Sequence, residues 1–156
     1  MMIIGRPGRD PLEIESVLID FEGTLAMDRR VPPKAKDKIN LLSKRVKIYI
    51  LTQAPREVVE KALRRTEAEV IYLKEGDASR EKLDLLRHLG TDRTVAIGNG
   101  FDDASLIEEA ALGICVIGKE GTATEAIEKA DVVVLNVLDG LDFILKPLRQ
   151  KATLGT

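Results

Sequence analysis

Apolar residues along this chain come in short unbroken runs, separated by longer segments of helical periodicity. The runs are 16–20 (SVLID), 46–52 (VKIYILT), 70–73 (VIYL), 94–98 (TVAIG), 113–117 (GICVI) and 132–135 (VVVL). None alternates cleanly between apolar and polar, which predicts strands covered on both faces. Between them, apolar residues recur at three- and four-residue spacing. One such segment opens at Pro32 and Pro33 and runs to about Arg45, with Ala35, Ile39 and Leu42 on one face. The next starts near Pro55 and turns Val58, Val59, Ala62 and Leu63 inward. A third spans 78–89 and ends at Gly90; further helices are expected over 102–111, 122–130 and 138–149. Proline in the first turn and glycine after the last are the expected punctuation.

Strand–helix alternation at this spacing predicts an α/β fold: a doubly wound parallel sheet with helices on both faces, in three layers. A length of 156 residues suits one domain over 1–156. Residues 1–15, with Gly5, Pro7, Gly8 and Pro11, read as an irregular arm, with 2–4 as a candidate edge strand. In such sheets ligands bind beyond the carboxyl ends of the strands, where strand order reverses. The residues following each strand are therefore the ones to inspect.

Composition narrows the classes. Lys and Arg number 24 against 26 Asp and Glu, a formal net charge of −2. That mild acidity argues against nucleic acid as a partner. No apolar stretch approaches the ~20 residues of a membrane helix, and no signal peptide is visible. The lone cysteine, Cys115, lies in an apolar run, which predicts a buried structural thiol and excludes a disulfide framework. A cytoplasmic protein without membrane association is the expectation. Lys34, Lys36 and Lys38 read as a solvated helix face, and His88 as an ordinary helix residue. High charge with two Gln, three Asn and no Trp is a thermophile pattern.

Candidate chemistry gathers at the strand ends. After the first run come Asp20, Phe21, Glu22, Gly23 and Thr24. The first carboxylate can attack phosphorus or hold Mg²⁺, and the second can shuttle a proton. Gly23 lets the backbone approach a ligand closely. Thr52 ends the second run, where a hydroxyl can donate to a phosphate oxygen. Lys82, with Arg80 as a rival, lies on the third helix and can neutralise a phosphate. After the fourth run, Gly98-Asn99-Gly100-Phe101-Asp102-Asp103 combines glycines with paired acids, as an oxygen-ligated Mg²⁺ site requires. Asp102 reads as a helix cap and Asp103 as the functional acid. Gly118-Lys119-Glu120-Gly121-Thr122 lacks the spacing of a P-loop.

In this order, Asp-x-acid-Gly-Thr, Thr, Lys and Gly-x-Gly-x-x-Asp, the motifs resemble the haloacid dehalogenase-like (HAD) superfamily over nearly the whole chain after residue 15. From Lys82 onward the chain looks most like the phosphorylation domain of P-type ATPases, without a membrane part. The resemblance implies an aspartyl-phosphate on Asp20. It puts Glu22 where phosphatases hold their general acid/base, with its backbone carbonyl on Mg²⁺. Thr52 and Lys82 would bind the phosphoryl group, with Gly23 and Thr24 contributing to the loop around it. Asn99 and Asp103 would complete the metal site with Asp20.

Two positions depart from the phosphatase pattern. Glu22 replaces an Asp and lengthens the reach by about 1.5 Å; a misplacement of ~1 Å can cost roughly a hundredfold in rate. Asn99 replaces an Asp and removes one negative charge from the metal site. Only 27 residues separate Thr24 from Thr52, and 29 separate Thr52 from Lys82. A cap domain needs about 50 or more, so a capless member is expected, with residues 26–31 as its one local flap. An open site implies a macromolecular substrate, or a homo-oligomer in which a neighbouring subunit covers it; the expected substrate is a phosphorylated small molecule or protein. The expected function is an Mg²⁺-dependent phosphohydrolase or phosphotransferase. The alternative is a catalytically weak or inactive phosphate- or Mg²⁺-binding module on the same fold. A phospho-accepting receiver domain ranks last, because such domains carry their acceptor on a later strand.

Overall fold

The computed structural model describes residues 1–155. Six parallel strands form the main sheet: β3 (Ser16–Asp20), β4 (Lys47–Thr52), β5 (Glu69–Tyr72), β6 (Thr94–Gly98), β7 (Leu112–Val116) and β8 (Val132–Val134), in spatial order β5-β4-β3-β6-β7-β8. The chain winds outward from β3 to β5, then returns to the other side of β3 to lay down β6. The β3–β6 boundary is therefore the point where strand order reverses, and their carboxyl ends open a crevice there.

Every residue of β3, β6 and β7 is buried, which is why their sequences show no alternation. Successive residues nevertheless face opposite layers. Val17 and Ile19 join one apolar cluster with Ile39 and Leu42 of α1 (Pro33–Ser43), Val59 of α2 (Arg56–Ala62) and Leu141 of α6 (Val137–Leu145). Leu18 joins the other with Leu86 of α3 (Ala78–Leu89) and Leu106 of α4 (Ala104–Glu109). Ala126 of α5 (Thr124–Lys129) packs on Ile107 and Cys115 at that second face. The three-layer α/β fold follows from these two half-cores. No cap domain interrupts it: the β3–α1 connection is a small flap, and α2 alone joins β4 to β5.

Three expectations need correction. Residues 138–149 do not make one helix: α6 ends at Leu145, and α7 (Pro147–Leu154) starts afresh. Proline cannot continue the helix, and Lys146 before it is extended at φ −115° and ψ 101°. Residues 2–4 are not an edge of the main sheet. They form β1 (Met2–Ile4), which pairs antiparallel with β2 (Leu12–Ile14) in a separate two-stranded ribbon. Ile4 and Ile14 are fully buried against the main core, so this arm is structured. Lys38 is not on a solvated face: its ammonium lies 2.6 Å from Asp142 Oδ1 and ties α1 to α6. Cys115 is buried as expected, and burial pushes its thiol pKa up.

Candidate active site

The crevice at the β3–β6 boundary is a cavity of about 580 Å³. Asp20 reaches it because it is the last residue of β3, where the strand stops and the chain turns through Phe21–Thr24. Asp103 arrives from the other side, at the end of a short 3₁₀ turn after β6. Its Oδ2 accepts from the backbone N–H groups of Asn99 and Gly100, each at 3.1 Å, which fixes the carboxylate. Asp103, rather than Asp102, caps this turn; Asp102 is exposed on the cavity rim. A methyl group on Gly98 would lie 2.5 Å from Asp103 Cγ, so the strand must end in glycine for the carboxylate to fold back against it.

Lys82 joins the two acids. Its ammonium lies 3.0 Å from Asp20 Oδ1 and 2.7 Å from Asp103 Oδ1, and all three side chains are buried. Arg80 is exposed and lines a different cavity, so Lys82, not Arg80, is the cation that meets Asp20 and Asp103. Burial disfavours the charged lysine, but the two carboxylates outweigh it and raise its pKa above the ordinary lysine value. For Asp20, burial is the largest influence and the Asp103 carboxylate the next. Together they push its carboxyl well above the usual range, and Lys82 offsets them only in part. Two buried carboxylates thus share one ammonium and lack a second positive charge.

The remaining predicted residues form a supporting ring. Thr24 is buried and donates its hydroxyl to Asn99 Oδ1 at 3.0 Å, with Asp20 Oδ2 at 3.4 Å. Asn99 lines the cavity beside Asp103. Thr52 donates to Glu22 Oε1 at 2.6 Å, and Gln53 N–H donates to the same oxygen at 3.2 Å. Glu22 is exposed but held at the entrance by these bonds. Gly23 has φ +73°, and a Cβ there would lie 2.6 Å from Glu120 Oε2 and 2.7 Å from Asn99 Nδ2. That close approach is open to glycine alone.

Among the lining residues not singled out as site residues are Gln53, Phe101, Glu120 and, on the flap, Asp28 and Arg29. Glu120 was legible in principle. It lies in the loop after β7, next to β6, and so at the same carboxyl edge. His88 is exposed on α3 and does not line the crevice.

The oxygen donors here are two carboxylates, an amide and nearby backbone carbonyls. No backbone N–H among the described residues donates to the Glu22 carbonyl. No cluster of three or more His, Cys, Asp or Glu side chains is positioned for a metal among the described residues. The set is suited instead to a hard cation that keeps waters and needs only one or two carboxylates.

No family model matches the chain. Solved structures with the same architecture are HAD phosphatases and hydrolases. One is the 3-deoxy-D-manno-octulosonate 8-phosphate phosphatase of Moraxella catarrhalis, in complex with magnesium, phosphate and its KDO molecule. It is 16% identical, with a TM-score of 0.72 over 86% of this chain and 87% of that one. The cobalt-bound form of a deoxy-D-mannose-octulosonate 8-phosphate phosphatase from Haemophilus influenzae is 14% identical, with a TM-score of 0.71 over 90% of this chain and 91% of that one. A Legionella pneumophila protein assigned to HAD superfamily subfamily III A is 21% identical, with a TM-score of 0.71 over 90% and 86%. The fold is therefore the capless HAD-like fold. An uncharacterized protein of Methanocaldococcus jannaschii is 42% identical over 84 residues, which are 51% of this chain and 90% of that one, and the chain belongs to the same family as that protein. No helix among the described residues is long and apolar enough to cross a membrane.

Proposed function

We propose that this protein is a metal-dependent phosphohydrolase that works through an aspartyl-phosphate on Asp20, with Mg²⁺ as the preferred ion. The observation that carries the reading is the Asp20–Lys82–Asp103 cluster, buried at the switch point of a HAD-like sheet. Its unbalanced negative charge favours a divalent cation on Asp20, Asp103, Asn99 and the Glu22 carbonyl. The chemistry a bound Mg²⁺ supplies is neutralisation of charge on the phosphoryl oxygens.

The chain's own residues do the rest. One Asp20 oxygen attacks phosphorus, and the bond from phosphorus to the ester oxygen breaks. Glu22, as general acid, gives a proton to the departing alkoxide. Water then attacks the aspartyl-phosphate, Glu22 takes up the proton, and inorganic phosphate leaves with Asp20 restored. Lys82 neutralises an equatorial oxygen, and Thr52 donates to another once its hydroxyl leaves Glu22. Turnover of an aryl phosphate with Mg²⁺ tests the reading. Wild type should turn over and Asp20→Asn should lose at least about a hundredfold; equal rates would sink it.

A second reading has an observation of its own. Glu22 is held by Thr52 and Gln53, which restrains the proton donor and favours slow turnover or a binding module. The resemblance to pump phosphorylation domains, whose aspartyl-phosphate is not quickly hydrolysed, points the same way. The double variant Glu22→Asp, Asn99→Asp separates the two: a gain over wild type supports a weakened hydrolase, and no gain over a silent wild type supports a binding module.

A further inference from the structure

We propose that the substrate carries a second anionic group, seated in a basic cavity beside the reaction crevice. This rests on the phosphohydrolase reading for what happens at the first group. The second cavity measures about 490 Å³ and shares Asp28 and Arg29 with the crevice that holds Asp20, so the two are contiguous. Its charged wall is Arg29 and Arg30 of the flap, Lys36 of α1 and Lys61 of α2, against the single carboxylate of Asp28. None of the four cations has a carboxylate within salt-bridge distance among the described residues.

The neighbouring crevice has the opposite character. Its wall carries six acids, Asp20, Glu22, Asp28, Asp102, Asp103 and Glu120, against Arg29 and Lys82. Such a crevice takes a phosphoryl group together with a metal cation, but it repels any further anion. A second anion on the same molecule finds its complement only across the flap, where positive charge converges.

The flap is built to hold that boundary. Met27 and Arg30 pair with each other across a two-residue turn. The turn residues, Asp28 and Arg29, both take left-handed backbone at φ 50° and 65°. Two consecutive non-glycine residues in that region are uncommon and costly. The turn holds Arg29 on the shared wall, with Arg30 facing the basic cavity. Arginine gives a planar, two-pronged grip on carboxylate or phosphate, and the lysines add unpaired point charges. Substrates of this class are phosphate esters bearing a further phosphate or carboxylate on a short linker.

Equilibrium binding to the Asp20→Asn protein in Mg²⁺ tests this without any need for turnover. The probes are α,ω-alkanediol bisphosphates of two to six carbons, the matching ω-phosphoalkanoates, and the alkyl monophosphates. At one linker length the doubly anionic probe should bind about tenfold or more tightly than its monophosphate. Whether phosphate or carboxylate binds better identifies the second group. Lys36→Glu with Lys61→Glu should abolish that preference, Lys36→Gln with Lys61→Gln should reduce it, and Lys44→Glu with Lys151→Glu, on exposed positions elsewhere, should leave it intact. Equal binding of single and double anions at every length would overturn the proposal. So would a preference that distant charge reversal removes as effectively as reversal at Lys36 and Lys61. Preferential binding beside a wild type that turns over no ester would support the cavity's role and count against hydrolysis alone.

Discussion

The Lys82 side chain connects stability to function. It is the one cation between two buried carboxylates. Removing one partner of a buried ion pair leaves uncompensated charge and costs about 3–5 kcal/mol. Lys82→Ala should lose stability of that order in urea unfolding, and Mg²⁺ should restore part of it by meeting the same charge. A loss below about 1 kcal/mol would show that Asp20 and Asp103 do not depend on Lys82. The residues of this cluster were legible in the sequence because each stands at a fixed step from a strand end. Their supporting bonds were not. Nothing in the sequence shows that Thr24 would reach Asn99 across 75 positions, or that Thr52 would hold Glu22. Such contacts depend on how β3, β4 and β6 are paired.

At the scale of elements, strands and helices were readable where burial is complete and less so where chain direction changes. The buried strands matched because their apolar runs are too short for a buried helix. The break between α6 and α7 was written in Pro147, but the flanking apolar periodicity obscured it. The hairpin of β1 and β2 escaped because its strands have only three residues each. Gly98→Ala should displace Asp103 and cut aryl phosphate turnover by roughly a hundredfold, while circular dichroism keeps the native signature; unchanged turnover would show that the carboxylate's fold-back is not needed. The α1–α6 tie gives a pH prediction. Burial opposes ionisation of Asp142, but Lys38 and then Lys146 prevail and lower its pKa. A lowered carboxyl pKa stabilises the fold above the unfolded value of about 3.9 and loses that contribution as pH falls through the folded value. Asp142→Asn should therefore lower Tm at pH 7 and flatten its decline below about pH 4; parallel pH profiles for both proteins would contradict the tie.

The whole molecule is a HAD-like core with little built over its crevice. The HAD-like core uses the two connections where a cap would be inserted for a flap and single helices. On the proposed function, substrate choice would fall to the crevice rim, the flap and the basic cavity beside it. A divalent cation should stabilise the whole chain as well as its site, since a ligand that binds only the folded state raises stability with concentration. Mg²⁺ should raise Tm of wild type and raise it less in Asp103→Asn, and Asn99→Asp should need less Mg²⁺ for the same rise. Identical responses in all three would remove the metal from this crevice.

The central claim is a covalent phosphoryl group on Asp20. Quenching the protein during turnover of an aryl phosphate and reducing it with borohydride converts an acyl phosphate to homoserine, which peptide mass spectrometry locates. Homoserine at position 20, dependent on both substrate and Mg²⁺, is the predicted result. Sustained turnover with an unmodified Asp20, or homoserine at another aspartate, would contradict it.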